Sequence, residues 1–190
     1  MNVYEAIKQR RTIRKFTQQP ISHDVLMKLA DCGRLAAFGA NIQPLRFGLI
    51  TDKQILDKLY PMTKWAGYLA DGAPKENERP TAYIAVIGDT NLRKNGAFET
   101  DAGAAVTNMM LAACEDGLAT CWLGAIDRDA IHSLLNLSDN HKVVYLLAVG
   151  YPAQESRTVD MQNGDVKYYV DENGGICVPK RALSDIVDEY

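Results

Sequence analysis

Several shortages in this chain each exclude a class of protein. No segment approaches the roughly 20 continuous apolar residues that span a bilayer, so no membrane partner is expected. The cysteines Cys32, Cys114, Cys121 and Cys177 form no CxxC pair, and His23, His132 and His141 supply no metal-ligand spacing, so no metal site is expected. A disulfide framework is unnecessary in a chain of 190 residues, and Cys32, Cys114 and Cys121 read as free thiols in or near the core. The 14 glycines and 7 prolines are scattered, which leaves no low-complexity stretch and no obvious linker. Basic residues are not in excess: 21 Lys and Arg stand against 24 Asp and Glu, and a net charge of −3 argues against general polyanion binding. No G-x-G-x-x-G follows an early strand, so a Rossmann dinucleotide site is absent. The opening Met1–Glu5 has neither a basic head nor an apolar run, and a cytoplasmic protein is the expectation.

What remains is ordinary soluble-domain material, 47% hydrophobic and 24% charged, read as one domain over residues 1–190. Val3 and Ile7 are four apart on a short opening helix. Ser22 can cap a second helix whose apolar set is Leu26, Leu29, Ala30 and Leu35. Residues 37–44 break that pattern with Gly39, Asn41 and Pro44, before a strand-like run at Phe47–Ile50. Ile55, Leu56 and Leu59 fit a further helix, ended near Pro61, and 61–80 reads as an irregular covering segment. Tyr83–Ile87 is short and β-branched, the mark of a buried strand. The longest helix is predicted over 99–116, with Ala102, Ala105, Val106, Met109, Met110 and Ala113 on a broad face and Gly117 as terminator. Trp122-Leu123-Gly124 begins a tighter segment. Asp127 or Asp129 can cap a helix carrying Ile131, Leu134 and Leu135, and Val143–Val149 is another apolar strand. A strand over Val166–Val170 and a terminal helix over 180–188 with Leu183, Ile186 and Val187 complete the reading. The fold class is α+β, helices covering a central sheet.

Polar chemistry gathers in three places. Arg10-Arg11-Thr12-Ile13-Arg14-Lys15-Phe16 concentrates guanidinium forks and a hydroxyl, the groups that hold a phosphate. Asn41, Gln43 and Pro44 form a second polar corner, and Pro179-Lys180-Arg181 restores positive charge late in the chain. The three make sense together around one anionic, polar-rimmed cofactor. A solvated charge cluster or a nucleic-acid patch is the competing reading of the arginines, but no groove-reading module accompanies them. Asp101 reads as a helix-start cap or interface residue, and Met109 and Met110 as core.

The order of these landmarks resembles the nitroreductase family. It runs from Arg10–Phe16 through Asn41-Ile42-Gln43-Pro44, Asp101-Ala102-Gly103-Ala104-Ala105 and Gly117–Gly124 to Gly150-Tyr151-Pro152 and Lys180-Arg181-Ala182-Leu183. The resemblance implies a sandwich with a mainly antiparallel sheet, a homodimer, and FMN at the subunit boundary. It implies NADH or NADPH as transient electron donor and a flat small-molecule acceptor, a nitroaromatic, quinone or flavin, reduced in ping-pong order. No protein nucleophile or acid is then required, because the redox chemistry resides in the cofactor. Arg10, Arg11, Thr12 and Arg14 correspond to flavin and phosphate contacts, and Asn41 and Gln43 to a polar flavin contact after the second helix. Leu123 and Gly124 correspond to main-chain contacts, with glycine allowing close approach. Lys180 and Arg181 correspond to the late phosphate cations, Arg181 ranked ahead for its bidentate fork. Two departures stand out: Phe38-Gly39-Ala40 replaces a hydroxyl-rich stretch, and Leu45 replaces an aromatic. A non-enzymatic FMN carrier or redox-responsive flavoprotein would share the same anchors.

Overall fold

Side chains that satisfy the first backbone N–H groups of a helix fix where most helices begin. In the computed structural model, which describes residues 1–190, α1 (Val3–Gln9) starts at Asn2, whose side chain caps Glu5 while Glu5 bonds back to Asn2. Ser22 caps α2 (His23–Arg34), Asp52 caps α3 (Lys53–Leu59), and Asp127, not Asp129, caps α5 (Arg128–Leu134). The longest helix, α4 (Glu99–Glu115), has no side-chain cap at Phe98. Gly117 follows it at φ +72°, a left-handed conformation that glycine adopts without strain.

Strands β1 (Leu45–Ile50), β2 (Ala82–Asp89), β3 (Ala119–Leu123) and β4 (His141–Gly150) form one antiparallel sheet in the order β1-β2-β4-β3. The α+β expectation and the antiparallel centre both hold. A smaller sheet follows, with β7 (Ile176–Lys180) between β5 (Ser156–Asp160), parallel to it, and β6 (Tyr169–Val170), antiparallel.

Strand alternation divides the core. Ile84, Val86, Leu147 and Val149 face α2 and α4, packing with Leu26, Leu29, Val106 and Met109. Tyr83, Ala85, Leu146 and Ala148 face the other way, toward Ile13, Phe16, Leu59 and Ile131. Each fully buried Leu or Ile contributes about 1.5–3 kcal/mol relative to exposure.

That second layer positions the basic segment. Ile13 donates its N–H to Thr120 O at 3.0 Å, Phe16 donates to Glu78 O at 2.8 Å, and both side chains are buried. Phe16 lies so close to Gly150 that a Cβ there would come within 2.6 Å of its ring. With Ile13 and Phe16 turned inward, Arg10, Arg11, Thr12 and Arg14 are left half-buried at the margin of the sheet.

Four expectations need correction. Residues 180–188 form no α-helix, only a 3-10 turn at Leu183–Asp185, and Leu183, Ile186 and Val187 are exposed. So short a helix is marginal without an apolar surface to pack on. Trp122 and Leu123 end strand β3, because residues 119–123 pair with β4 rather than forming a separate tight segment. The expected strand at 166–170 shrinks to Tyr169–Val170. Finally, β5 and β7 went unpredicted. Pro179 is tolerated because β6 pairs only Ile176 and Cys177, so β7 has become an edge strand there. The opening helix forms as predicted, but Val3 (72% exposed) and Ile7 (49%) face outward.

Candidate functional site

A cleft of about 340 Å³ opens where the basic segment meets the end of α4, the start of β3 and the small sheet. Arg10, Arg11, Cys114, Thr120, Gln154 and Arg157 contribute to its lining. Thr12 sits at its wall through a parallel bridge to Thr120, and Arg14 donates its backbone N–H to Gln154 Oε1 at 3.3 Å. The Arg14 guanidinium lies 4.5 Å from the centre of the Tyr168 ring, whose hydroxyl accepts the Tyr68 N–H. Covering segment 61–80 is thereby tied to the loop before β6.

Glu155 also lines this cleft, yet no arginine of the basic segment comes within ion-pair distance of a carboxylate. Arg10, Arg11 and Arg14 take part in none of the ion pairs that engage Lys15, Lys28, Arg34, Lys53, Arg93 and Arg157. Arg11 bonds through Nη2 to the carbonyls of Ile7 and Lys8, while its buried Nε has no partner. Burial, and then the neighbouring Arg10 charge, lower the Arg11 pKa. Burial raises the Cys114 thiol, and Arg10 and Arg11 oppose that shift. Cys121, behind them, is pushed by burial to about 11. All four cysteines are free.

The remaining predicted residues lie elsewhere in the chain. Lys180 is exposed at the end of β7, opposite Asp160, and Arg181 turns its guanidinium back to the Asp185 carbonyl. Leu123 is buried in β3, and Gly124 just beyond it is exposed, its carbonyl bonded by Arg128. Asn41 and Gln43 are exposed in the corner between α2 and β1, where Gln43 borders a separate cleft of about 540 Å³ with Met27, Phe38 and Phe47. Within one chain, therefore, Arg10 and Arg11 share a cleft, Thr12 and Arg14 adjoin it, and the other six do not line it.

The Asn41 corner is strained. Ala40, Asn41 and Gln43 have φ of 50°, 53° and 52°. Left-handed backbone in non-glycine residues costs on the order of 1–3 kcal/mol each. The clamp that meets this cost was not legible as such in the sequence. Asp101 is the third residue of α4, not its cap, and is 4% exposed. Its Oδ1 accepts the Gly39 N–H at 3.1 Å, and its Oδ2 accepts Arg93 Nη2 at 2.6 Å. Sequence reasoning also missed Thr120, Gln154 and Arg157 in the cleft.

The fold is shared with solved structures, including "a putative nitroreductase in complex with FMN" from Desulfovibrio desulfuricans, 29% identical over 100% of this chain and 97% of that one, TM-score 0.71. A nitroreductase family protein from Clostridium difficile 630 is 25% identical, covers 99% of this chain and 98% of its own, and gives a TM-score of 0.70. Among curated sequences, a "Putative NADH dehydrogenase/NAD(P)H nitroreductase" from Methanothermobacter thermautotrophicus is 28% identical over 170 residues, 87% of this chain and 85% of that protein. The model of the nitroreductase family matches residues 7–151, and the chain belongs to that family.

Proposed function

We propose that this protein is an FMN-dependent NAD(P)H oxidoreductase acting as a homodimer, one FMN-binding domain over residues 1–190 in each subunit. Its substrates are flat electron acceptors such as nitroaromatics, quinones or flavins, reduced in ping-pong order. The observation that carries the reading is the half-buried guanidinium set of Arg10, Arg11 and Arg14, without an ion pair in an otherwise acidic chain. Positive charge left unpaired beside a cleft is stabilised by an anion, and a phosphate monoester suits the guanidinium fork. The residues present thus fit the phosphorylated end of FMN. Membership of a family with an FMN-complexed relative supports the same reading.

When bound, FMN supplies the two-electron exchange between a nicotinamide donor and a second acceptor. The chain's own residues bind and orient it. Arg10 and Arg14 hold the phosphate side, with Arg11 reinforcing their field, and the Thr12 hydroxyl donates a hydrogen bond. Lys180 and Arg181 add late positive charge. Asn41 and Gln43 offer amide groups to the ring edge, and Leu123 and Gly124 offer backbone. Because Asn41 and Gln43 lie outside the cleft of their own chain, a second copy is the natural source of that edge. Exposed Val3, Tyr4 and Ile7 on α1, with Leu183, Ile186 and Val187 near the C-terminus, supply apolar surface for the pairing. No helix is long and apolar enough to cross a membrane, and cytoplasmic residence without a nucleic-acid partner completes the proposal.

The test is the absorption spectrum of purified protein before and after anaerobic NADH or NADPH. A bound yellow chromophore that bleaches with the donor and recovers with a quinone or nitroaromatic is the expected result. Tight FMN binding without bleaching would identify a carrier, and absence of FMN uptake would overturn the reading.

A further inference from the structure

The corner between α2 and β1 is almost detached from the rest of the protein. Asn41 donates to Phe38 O at 3.0 Å, Ile42 to Gly39 O at 3.2 Å, and the Gln43 amide to Asn41 O at 3.3 Å. Each of these bonds closes the turn on itself and fixes nothing about where the turn sits. From residue 37 to residue 43, the hydrogen bond that reaches another element is Gly39 N–H to Asp101 Oδ1, across 62 positions of sequence. The strained backbone of Ala40, Asn41 and Gln43 follows immediately.

Asp101 suits this duty in three ways. It is fixed on the first turn of the longest helix, where a carboxylate is favoured by the helix dipole. Its two oxygens are divided, one for the Gly39 amide and one for Arg93. Its charge is matched where solvent is excluded, with side-chain exposures of 5% for Asp101 and 19% for Arg93. Gly39 sits directly against the pair, where a Cβ would be in ordinary contact, 3.4 Å from Arg93 Nη2 and 3.8 Å from Asp101 Oδ1.

We infer that Arg93 and Asp101 are positioning residues, a buried ionic latch that sets the Gly39–Gln43 corner in place so that Asn41 and Gln43 meet the flavin already arranged. The inference rests on the FMN reading and deepens it. A corner held in advance loses less conformational freedom when it engages a ligand, so the latch contributes to flavin affinity without touching flavin. Asn preserves an acceptor for the Gly39 amide while removing the charge that faces Arg93, and Ala removes both.

The experiment combines hydrogen exchange with FMN titration of the flavin-free protein, for the parent, Asp101→Asn and Asp101→Ala. In the parent, the Gly39 amide is expected to be protected although the corner is exposed. Asp101→Ala is expected to abolish that protection, weaken FMN binding by 10- to 100-fold, and change the visible circular dichroism of any flavin that remains bound. Asp101→Asn should recover most of the affinity. Arg93→Lys, which keeps the charge, should fall near the parent.

A folded Asp101→Ala with parental FMN affinity and dichroism would overturn the latch even if its melting temperature falls. An unprotected Gly39 amide in the parent would overturn it without any variant, which covers the case in which the alanine variant does not fold. A parent that takes up no FMN would defeat the function reading and the flavin role of the latch together. A parent that binds FMN as tightly as its alanine variant defeats the latch alone.

Discussion

The two ends of α4 use charge in opposite ways. At its start, Asp101 accepts from Arg93 Nη2 and from the Gly39 amide and is nearly sealed from solvent, although the buried Arg93 Nε has no partner. Near its end, beside Cys114, Arg10 and Arg11 share a cleft and Arg14 stands nearby, all without a carboxylate partner. Charge that is closed on itself holds backbone, and charge left open is available to a ligand. Removing the first kind should therefore cost stability, and removing the second kind should cost binding.

The strongest way to break the comparison is Asp101→Ala. It strands Arg93 in a largely buried position, and loss of one partner of such a pair typically costs about 3–5 kcal/mol. Urea unfolding of the flavin-free protein measures it. A loss below about 1 kcal/mol, the range of exposed pairs, would show that the pair is as solvated as a surface one. Replacing both partners, Arg93→Met with Asp101→Leu, should restore much of that stability while leaving the Gly39 amide without its acceptor.

Next in size is the open end. Arg10→Ala and Arg14→Ala should each weaken FMN retention by about 1.5–3 kcal/mol, without simple additivity when combined. Their effect on unfolding of the flavin-free protein should stay within about 1 kcal/mol, the scale of the Arg14–Tyr168 ring contact. Bound flavin and thermal unfolding, measured together, separate the two effects. Unchanged occupancy in both variants would remove these arginines from the proposed site.

The smallest effect concerns a third charge cluster, at the end of β2. The Asn140 amide at 2.8 Å, then the Asn91 N–H at 2.9 Å, and the nearby His141 hold the Asp89 carboxyl below its usual range. A carboxyl whose folded pKa is depressed adds stability above its ordinary pKa and loses it as pH falls through the folded value. Melting temperature should thus decline on the acid side of about pH 4 more steeply in the parent than in Asp89→Asn. Parallel acid limbs for the two proteins would dissociate Asp89 from acid sensitivity.

Legibility in the sequence followed the range of the interaction. Caps at Ser22 and Gly117, a cap at Asp127 or Asp129, and the broad face of α4 act over a few residues, and they were readable from spacing. The family pattern made the order of the polar landmarks readable as well. By contrast, β5 and β7 depend on each other and not on local propensity, and Gly174, Gly175 and Pro179 obscured them. The contact between Gly39 and Asp101 spans too much chain for any periodicity to show, although a lone acid among Ala102, Ala104, Ala105 and Val106 marked the position. Arg157 was hidden for the same reason as its strand.

The partition of the apolar interior by the four-stranded sheet has a mechanical consequence. Side chains on the α2–α4 side and on the α3–α5 side meet across strand backbone and not directly, so a cavity on one side leaves packing on the other intact. Damage from Met109→Ala and from Ile131→Ala should accordingly sum, each near 2–5 kcal/mol. Because the arginine segment is anchored through Ile13 and Phe16 to the α3–α5 compartment, while α2 ends at the Asn41 corner, loosening one compartment would blunt one half of the proposed flavin cradle and spare the other.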